Sequence, residues 1–372
     1  MKKILLGTTA VIALGTMSTE AFAADKIKLG LGGFMYHYVG VVNDDEASEA
    51  ATGNNRAMGL SQDSNTEVYV SGSTTLDNGL TVAATMQIET DGQEGGNSTD
   101  ESYLSVSSDA MGMVYVGVTK HALQKKATYA PNASKFGWYD LDDWAQMADT
   151  TGANTPFTFT AYKPNLLLDD SNKLGYMSPS FGGVSIVASY SAAEGTGASD
   201  ADSLDRNAAH DGSSFGVVYS GELSGAAVKA DLGQYRYNGQ YNGTQVGASV
   251  GMSGFTIGGH YVKFSDDNSS NAAAATDVSF AGNQWDLGVG YTTGPYSVSA
   301  SYMSAKEDNT TASGSDKDTA WRVSGTYDMG AGVGLTATYF NLKRDLEGSG
   351  TAFTTGKSAQ VNGVIAGIEV GF

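Results

Sequence analysis

The chain contains no cysteine, so disulfides and thiolate metal sites are excluded. Proline is scarce, 5 of 372 residues, which excludes the Pro-rich composition of a disordered chain. Cations are also few: 21 Lys and Arg stand against 40 Asp and Glu, a net charge of −19. The densest basic spot is Lys125-Lys126, near Lys120 and His121. Nucleic acid is therefore excluded as a partner, because neutralising phosphates requires clustered cations. Beyond the N-terminal region no stretch approaches the ~20 consecutive apolar residues of a membrane-spanning helix. What is abundant is glycine (49 residues) and tyrosine (20, against 13 Phe and 4 Trp), with Ser, Thr and Val, a β composition.

The N-terminus reads as an export signal. Lys2-Lys3 is its charged start, residues 4–14 its short apolar run, and Ala21-Phe22-Ala23 its small-x-small cleavage site. Residues 1–23 are thus expected to be removed, leaving 24–372 as one domain outside the cytoplasm. No Cys follows the cleavage site, so no lipid anchor is expected.

The remainder alternates. In residues 80–89, Leu80, Val82, Ala84, Met86 and Ile88 share one face, and Thr81, Thr85, Gln87 and Glu89 the other. Residues 285–291 and 321–327 repeat the scheme, and a period of two is the signature of β-strands. Short connections at 77–79, 110–112, 180–183, 223–225, 252–254 and 293–295 alternate with long polar ones. The long ones lie at about 42–63, 90–99, 119–171, 192–212, 266–282, 306–318 and 345–356. This is an antiparallel up-and-down meander of about sixteen strands with its long loops at one rim. The apolar face is modest, of Val, Ala, Leu, Ile and Gly, and aromatics gather at strand ends, as in Trp285/Tyr291, Trp321/Tyr327 and Tyr296/Tyr302. The other face is too polar for a dry interior. A lipid-facing exterior, a water-lined lumen and a closed sheet follow, because hydrocarbon leaves no backbone group unpaired. A soluble β-sandwich or solenoid is the alternative; no fixed repeat supports a solenoid.

Two segments carry a family resemblance. Asn172-Lys173-Leu174-Gly175-Tyr176-Met177-Ser178-Pro179-Ser180-Phe181-Gly182-Gly183 resembles the N-x-[VL]-x-Y-x-S-P-x-F-x-G segment of the trimeric general porins of Gram-negative outer membranes. Leu76-Asp77-Asn78-Gly79-Leu80-Thr81 is similar to their early L-x-N-G-L turn. The resemblance implies an all-β, sixteen-stranded transmembrane β-barrel whose third loop folds into the lumen. It implies a homotrimer in the outer membrane, in contact with lipid and lipopolysaccharide, through which small hydrophilic solutes and ions diffuse passively. It also implies that the last strand, residues 363–372 with Phe372 at its end, closes the barrel and is read by the assembly machinery. Many family members carry Arg where this chain has Gly175, so a dense arginine ladder is not expected here.

Residues 119–171 are the longest connection, and a loop of that length implies function. Asp140, Asp142, Asp143 and Asp149 are its candidates to face the channel, with Phe136, Trp138, Tyr139 and Trp144 to pack it on the wall. Asp142 or Asp143 also suits a cap on a short helix at 142–148. By parity Lys28, Lys173, Lys229 and Arg322 point inward and are the candidate opposing cations. Acids facing cations across a narrow neck set up a transverse field, and the acidic balance of the chain favours mild cation preference. No line of aromatics along the lumen is apparent, which gives no sign of sugar specificity.

No cofactor is expected. Asp44-Asp45-Glu46, Asp266-Asp267-Asn268 and Asp308-Asn309 offer oxygen ligands of the kind Ca2+ or Mg2+ takes, although solvated acidic loops explain them equally and no EF-hand spacing is present. The histidines His37, His121, His210 and His260 sit in no nucleophile or paired-carboxylate motif, so no enzyme is expected. A surface adhesin or receptor barrel, and less so an outer-membrane hydrolase, are the alternative functions.

Overall fold

A computed structural model describes residues 26–44, 59–90, 98–138, 144, 170–193, 210–238, 241–266, 281–308, 315–346 and 357–372. Its strands are β1 (Gly30–Asp44), β2 (Gly59–Thr75), β3 (Thr81–Glu89), β4 (Ser98–Ser108), β5 (Gly112–Thr119), β6 (Ser171–Met177), β7 (Val184–Ala193) and β8 (His210–Leu223). They continue with β9 (Ala226–Asn238), β10 (Tyr241–Met252), β11 (Phe255–Asp266), β12 (Gly282–Thr293), β13 (Tyr296–Asp308), β14 (Ser315–Gly330), β15 (Val333–Leu346) and β16 (Lys357–Gly371). Each strand pairs antiparallel with its sequence neighbours, and β16 returns to β1, so the sheet is a closed barrel. The seam runs from Phe34↔Gly371 to Asp44↔Val361, and Phe372 extends it through hydrogen bonds in both directions with Gly33 (2.9 and 3.1 Å). Closure leaves no edge to satisfy in lipid.

Local chemistry explains the hairpins. Ser224-Gly225 and Ser253-Gly254 have positive φ at both positions (50° and 83°, 53° and 87°), the twist-matched turn that suits a two-residue loop. Two connections escape the sequence pattern. Gly330-Ala331-Gly332 joins β14 to β15 as a tight turn, and on the opposite rim only residues 239–240 separate β9 from β10. Eight connections therefore lie on the loop rim, one of them short.

Alternation sorts the faces as the pattern requires. Leu31, Leu104, Leu174, Leu232, Leu287 and Val323 are exposed on one parity, which faces outward. Outward rings pair across strands: Trp285 with Tyr302 (5.3 Å between centroids), Trp321 with Tyr339 (4.9 Å), Phe255 with Tyr291 (4.4 Å) and Tyr296 with Tyr327 (5.1 Å). These form two belts. Trp285 and Tyr291 mark their separation on one strand, roughly 20 Å along it at ~3.3 Å per residue. Among the described residues no helix is long and apolar enough to cross a membrane.

Candidate functional site

The site is the inner wall and the first part of the third loop. From β5 the chain turns inward and runs along the wall past every strand from β7 to β14. It is held by main-chain hydrogen bonds to inward side chains. The Ala122 N–H donates to Ser189 Oγ (2.7 Å) on β7, Thr128 N–H to Asp231 Oδ1 (2.7 Å) on β9, and Ala130 N–H to Asp286 Oδ1 (2.8 Å) on β12. Ala133 N–H donates to Ser299 Oγ (2.8 Å) on β13, and Thr326 on β14 donates its hydroxyl to the Ala133 carbonyl. His121 Nδ1 shares a hydrogen bond with Ser214 Oγ on β8 (3.2 Å).

Close approach needs room, and glycine supplies it. Leu123 seats over the cross-strand pair Gly216 and Gly233, where a Cβ would strike its methyl groups. At Gly247 a Cβ would meet the Thr128 carbonyl and the Asp231 carboxylate, both already committed to the strap. At Gly288 it would meet Ala130 Cβ at 3.2 Å. Inward glycines thus form a shallow track for a loop backbone, and hydroxyls or carboxylates beside it replace the water that backbone lost.

Farther along, Phe136, Trp138 and Trp144 are buried with Tyr38, Val42, Met303, Phe340, Leu342 and Ile365. The expected packing on the wall is therefore present for Phe136, Trp138 and Trp144, against an inward face that is locally apolar, while Tyr139 lies outside the described residues. Arg322 is 3% exposed; its Nη1 donates to the Phe136 carbonyl, its Nε to Ser301 Oγ (3.0 Å), and its guanidinium lies 3.9 Å from the Trp138 ring centroid.

The other expected site residues lie apart from this anchor. Lys173 is 2% exposed on β6, its ammonium donating to Ser171 Oγ (2.6 Å). Lys229 is exposed on β9, on the turn side of Asp231, and Lys28 is exposed ahead of β1 at the turn rim. Asp140, Asp142, Asp143 and Asp149, with the helix at 142–148, lie outside the described residues, as do Asp45, Glu46, Asp267, Asn268 and Asn309 of the outer loops. Gly175 has a physical reason for its size: the Tyr115 ring occupies the space where its side chain would start.

Charge is distributed in a way the sequence did not suggest. Residues 120–138 carry Lys120, Lys125, Lys126 and Lys135 and no acid. The inward carboxylates stand on the wall, with Asp63 and Glu67 on β2, Glu89 on β3 and Glu101 on β4. At the root of the loop Lys125 pairs with Glu101 (3.1 Å), and carboxyl oxygens of Asp100, Glu101 and Asp170 lie within 4.8 Å of one another. His121 is fully buried there; desolvation, then the charge of Lys173, holds its imidazole well below its ordinary value, so it is neutral. His260 faces inward and packs under the Tyr129 ring (4.7 Å), a wall contact of the loop.

The expectation of no aromatic line is corrected. Phe34, Tyr36 and Tyr38 occupy successive inward positions of β1, beside Tyr69 of β2. Their signal was present in Phe34-Met35-Tyr36-His37-Tyr38, where every second residue is a ring.

Comparison with known families decides the identity. The sequence model described as Gram-negative porin matches residues 8–345. This chain belongs to the Gram-negative porin family. The porin is accordingly an outer-membrane channel for passive diffusion. It shares its fold with an anion-selective porin from Comamonas acidovorans (16% identity, 93% of this chain and 100% of that chain, TM-score 0.61). It likewise resembles the outer membrane channel DcaP of Acinetobacter baumannii (13%, 94% and 98%, TM-score 0.60). A third is OmpT of Vibrio cholerae with its loop L8 deleted (12%, 94% and 100%, TM-score 0.59). No curated protein sequence matches the porin.

Proposed function

We propose that solutes cross this porin through a neck between the third loop, residues 119–171, and the wall of β1–β4, under a transverse field. The observation that carries the reading is the strap: from Ala122 to Ala133 it commits the loop to the β7–β14 side, and the loop meets the facing wall at Tyr38 and Glu101. Asp63, Glu67, Glu89 and Glu101 supply wall acid, and Lys120, Lys125, Lys126 and Lys135 supply loop cations. Asp140, Asp142, Asp143 and Asp149 add acid from the farther part of the loop. Lys28, Lys173, Lys229 and Arg322 add cations at other heights of the lumen. The excess of carboxylates gives mild cation preference, unlike the Comamonas porin, which is described as anion-selective. No catalytic step is assigned to this chain.

Reversal potential in a salt gradient across a planar bilayer tests this. Cation preference is expected for the wild type and a weaker one for Asp142→Asn/Asp143→Asn. Anion preference of the wild type overturns the reading; an unchanged variant removes the far part of the loop from it.

Assembly follows from the outer face. The outward positions of β1–β5, such as Met35, Val39, Val68, Leu104 and Val116, include no Phe, Tyr or Trp, whereas β11–β15 carry the paired belts. Rings mark headgroup level where lipid is the neighbour. A smooth strip without them suits a protein neighbour, a copy of the same chain in a homotrimer. Above the upper belt Lys263, Lys306 and Lys317 share one lateral row, with Lys306 directly opposite Lys317. Like charges so placed repel, and the phosphates of lipopolysaccharide relieve them. Phe372, which extends the seam, is the residue the assembly machinery reads.

A further inference from the structure

The wall that faces the strap carries a ladder of rings. Tyr69 meets Phe34 edge-on with centroids 6.1 Å apart, Phe34 and Tyr36 lie nearly parallel at 5.6 Å, and Tyr36 reaches Tyr38 at 4.7 Å. Tyr38 in turn meets Phe136 of the loop at 4.1 Å. Tyr38 and Phe136 are buried, while Phe34, Tyr36 and Tyr69 are half-buried on the lumen side. The ladder therefore leads from the turn rim up to the neck.

Carboxylates flank it rung by rung. Glu67 stands directly opposite Phe34, Glu369 opposite Tyr36 and Asp63 opposite Tyr38. Tyr38 donates its hydroxyl to Glu369 (2.7 Å), and Glu67 is hydrogen-bonded to Tyr69. A separate observation shows what the rings attract: the ammonium of Lys135, an exposed loop residue, lies 5.9 Å from the Phe34 ring centroid. The ring is thus open toward the lumen, and a cation rests on it.

We propose that Phe34, Tyr36 and Tyr69, with Glu67 and Glu369, form a binding station for organic cations, solutes that carry an ammonium or guanidinium group on an apolar or flat body. This rests on the diffusion-channel reading and adds a preferred solute class to it. Ring faces attract cations through their quadrupole, and the carboxylates supply the countercharge. Rings in series suit transport, because a solute that hands over from rung to rung is bound but not trapped. A neutral sugar stacks on the same rings and can offer hydroxyls to the carboxylates, but it brings no charge to match theirs. Lys135 is the resident competitor for Phe34.

Open-channel block by L-arginine in planar bilayers tests the station, with maltotriose as the neutral probe. Arginine is expected to interrupt the wild-type current in a concentration-dependent way, and maltotriose is not. Phe34→Leu/Tyr36→Leu should raise the half-blocking arginine concentration about fivefold to tenfold. Glu67→Gln should raise it too, and Lys135→Ala should lower it. Lys135 lies in the loop, so its variant reads the station even where the ring variant fails to assemble. Arginine block unchanged by these substitutions, or block by maltotriose alone, overturns the station. Potassium chloride conductance without added solute separates the two readings: its absence defeats the channel itself, whereas a conducting pore that ignores arginine defeats only the station.

Discussion

The inner wall is built in two ways. From β7 to β14 a loop backbone lies on inward glycines, hydroxyls and acceptor carboxylates, among them Gly247, Ser189 and Asp286. On β1 and β2, toward the turn rim, half-buried rings and carboxylates face the lumen, among them Phe34, Tyr36, Tyr69 and Glu67. Both halves obey the same period of two, with an apolar outer face. The difference teaches that alternation states which face is inward but not what that face meets. A glycine such as Gly247 is a poor strand residue by propensity. It is required here because the Thr128 carbonyl sits where its side chain would be. A carboxylate such as Asp286 looks like a channel charge, yet it serves as an acceptor for the Ala130 N–H.

The comparison breaks most visibly at the glycine track. Gly247→Leu places a side chain against backbone and a buried carboxylate, and overpacking of this kind costs ~1–3 kcal/mol or more. The expected result is a lifted strap: larger single-channel conductance and a lower temperature for loss of the folded band on a gel. Next in size is Asp286→Ala, which leaves the Ala130 N–H buried without its acceptor, at a cost of about 1–3 kcal/mol. Its conductance should flicker rather than rise uniformly, since the neighbouring straps to Asp231 and Ser299 persist. On the facing wall, Glu67→Gln/Glu89→Gln should leave heat stability unchanged and move the reversal potential toward anions. If the fold weakens instead, these acids belong to the structural half of the wall.

The smallest effect lies at the seam between the halves, at His121. Its folded imidazole titrates below the ordinary 6.5, so the unfolded chain binds the extra proton. Stability from this group is present above about pH 6.5 and lost as pH falls toward the folded value, by at most ~1.4 kcal/mol per pH unit. Resistance to heat should therefore drop on mild acidification in the wild type and less so in His121→Gln.

Much of this molecule was legible in its sequence. Trp285/Tyr291 and Tyr296/Tyr302 placed the belts, Ser224-Gly225 and Ser253-Gly254 placed the turns, and the parity of Lys173, Lys229 and Arg322 gave their inward direction. Those features depend on neighbours along one strand or across one hairpin, where spacing fixes geometry. The height of an inward residue was not legible. Arg322 and Lys28 share a parity argument, yet one clasps the Phe136 carbonyl and the other stands at the turn rim. Nor were the wall acids legible as a group, since Glu67, Glu89 and Glu101 are scattered over three strands that only pairing brings together.

By itself, then, the amino-acid order determined an exported, closed, outward-apolar barrel, because lipid outside and water inside write themselves into a two-residue period. The path of the loop, the glycines that admit it, and the rings and acids left facing the passage were decided by the tertiary structure. Each of these is a contact between segments far apart in the chain, whose partners are chosen by shape and by unsatisfied backbone groups rather than by spacing.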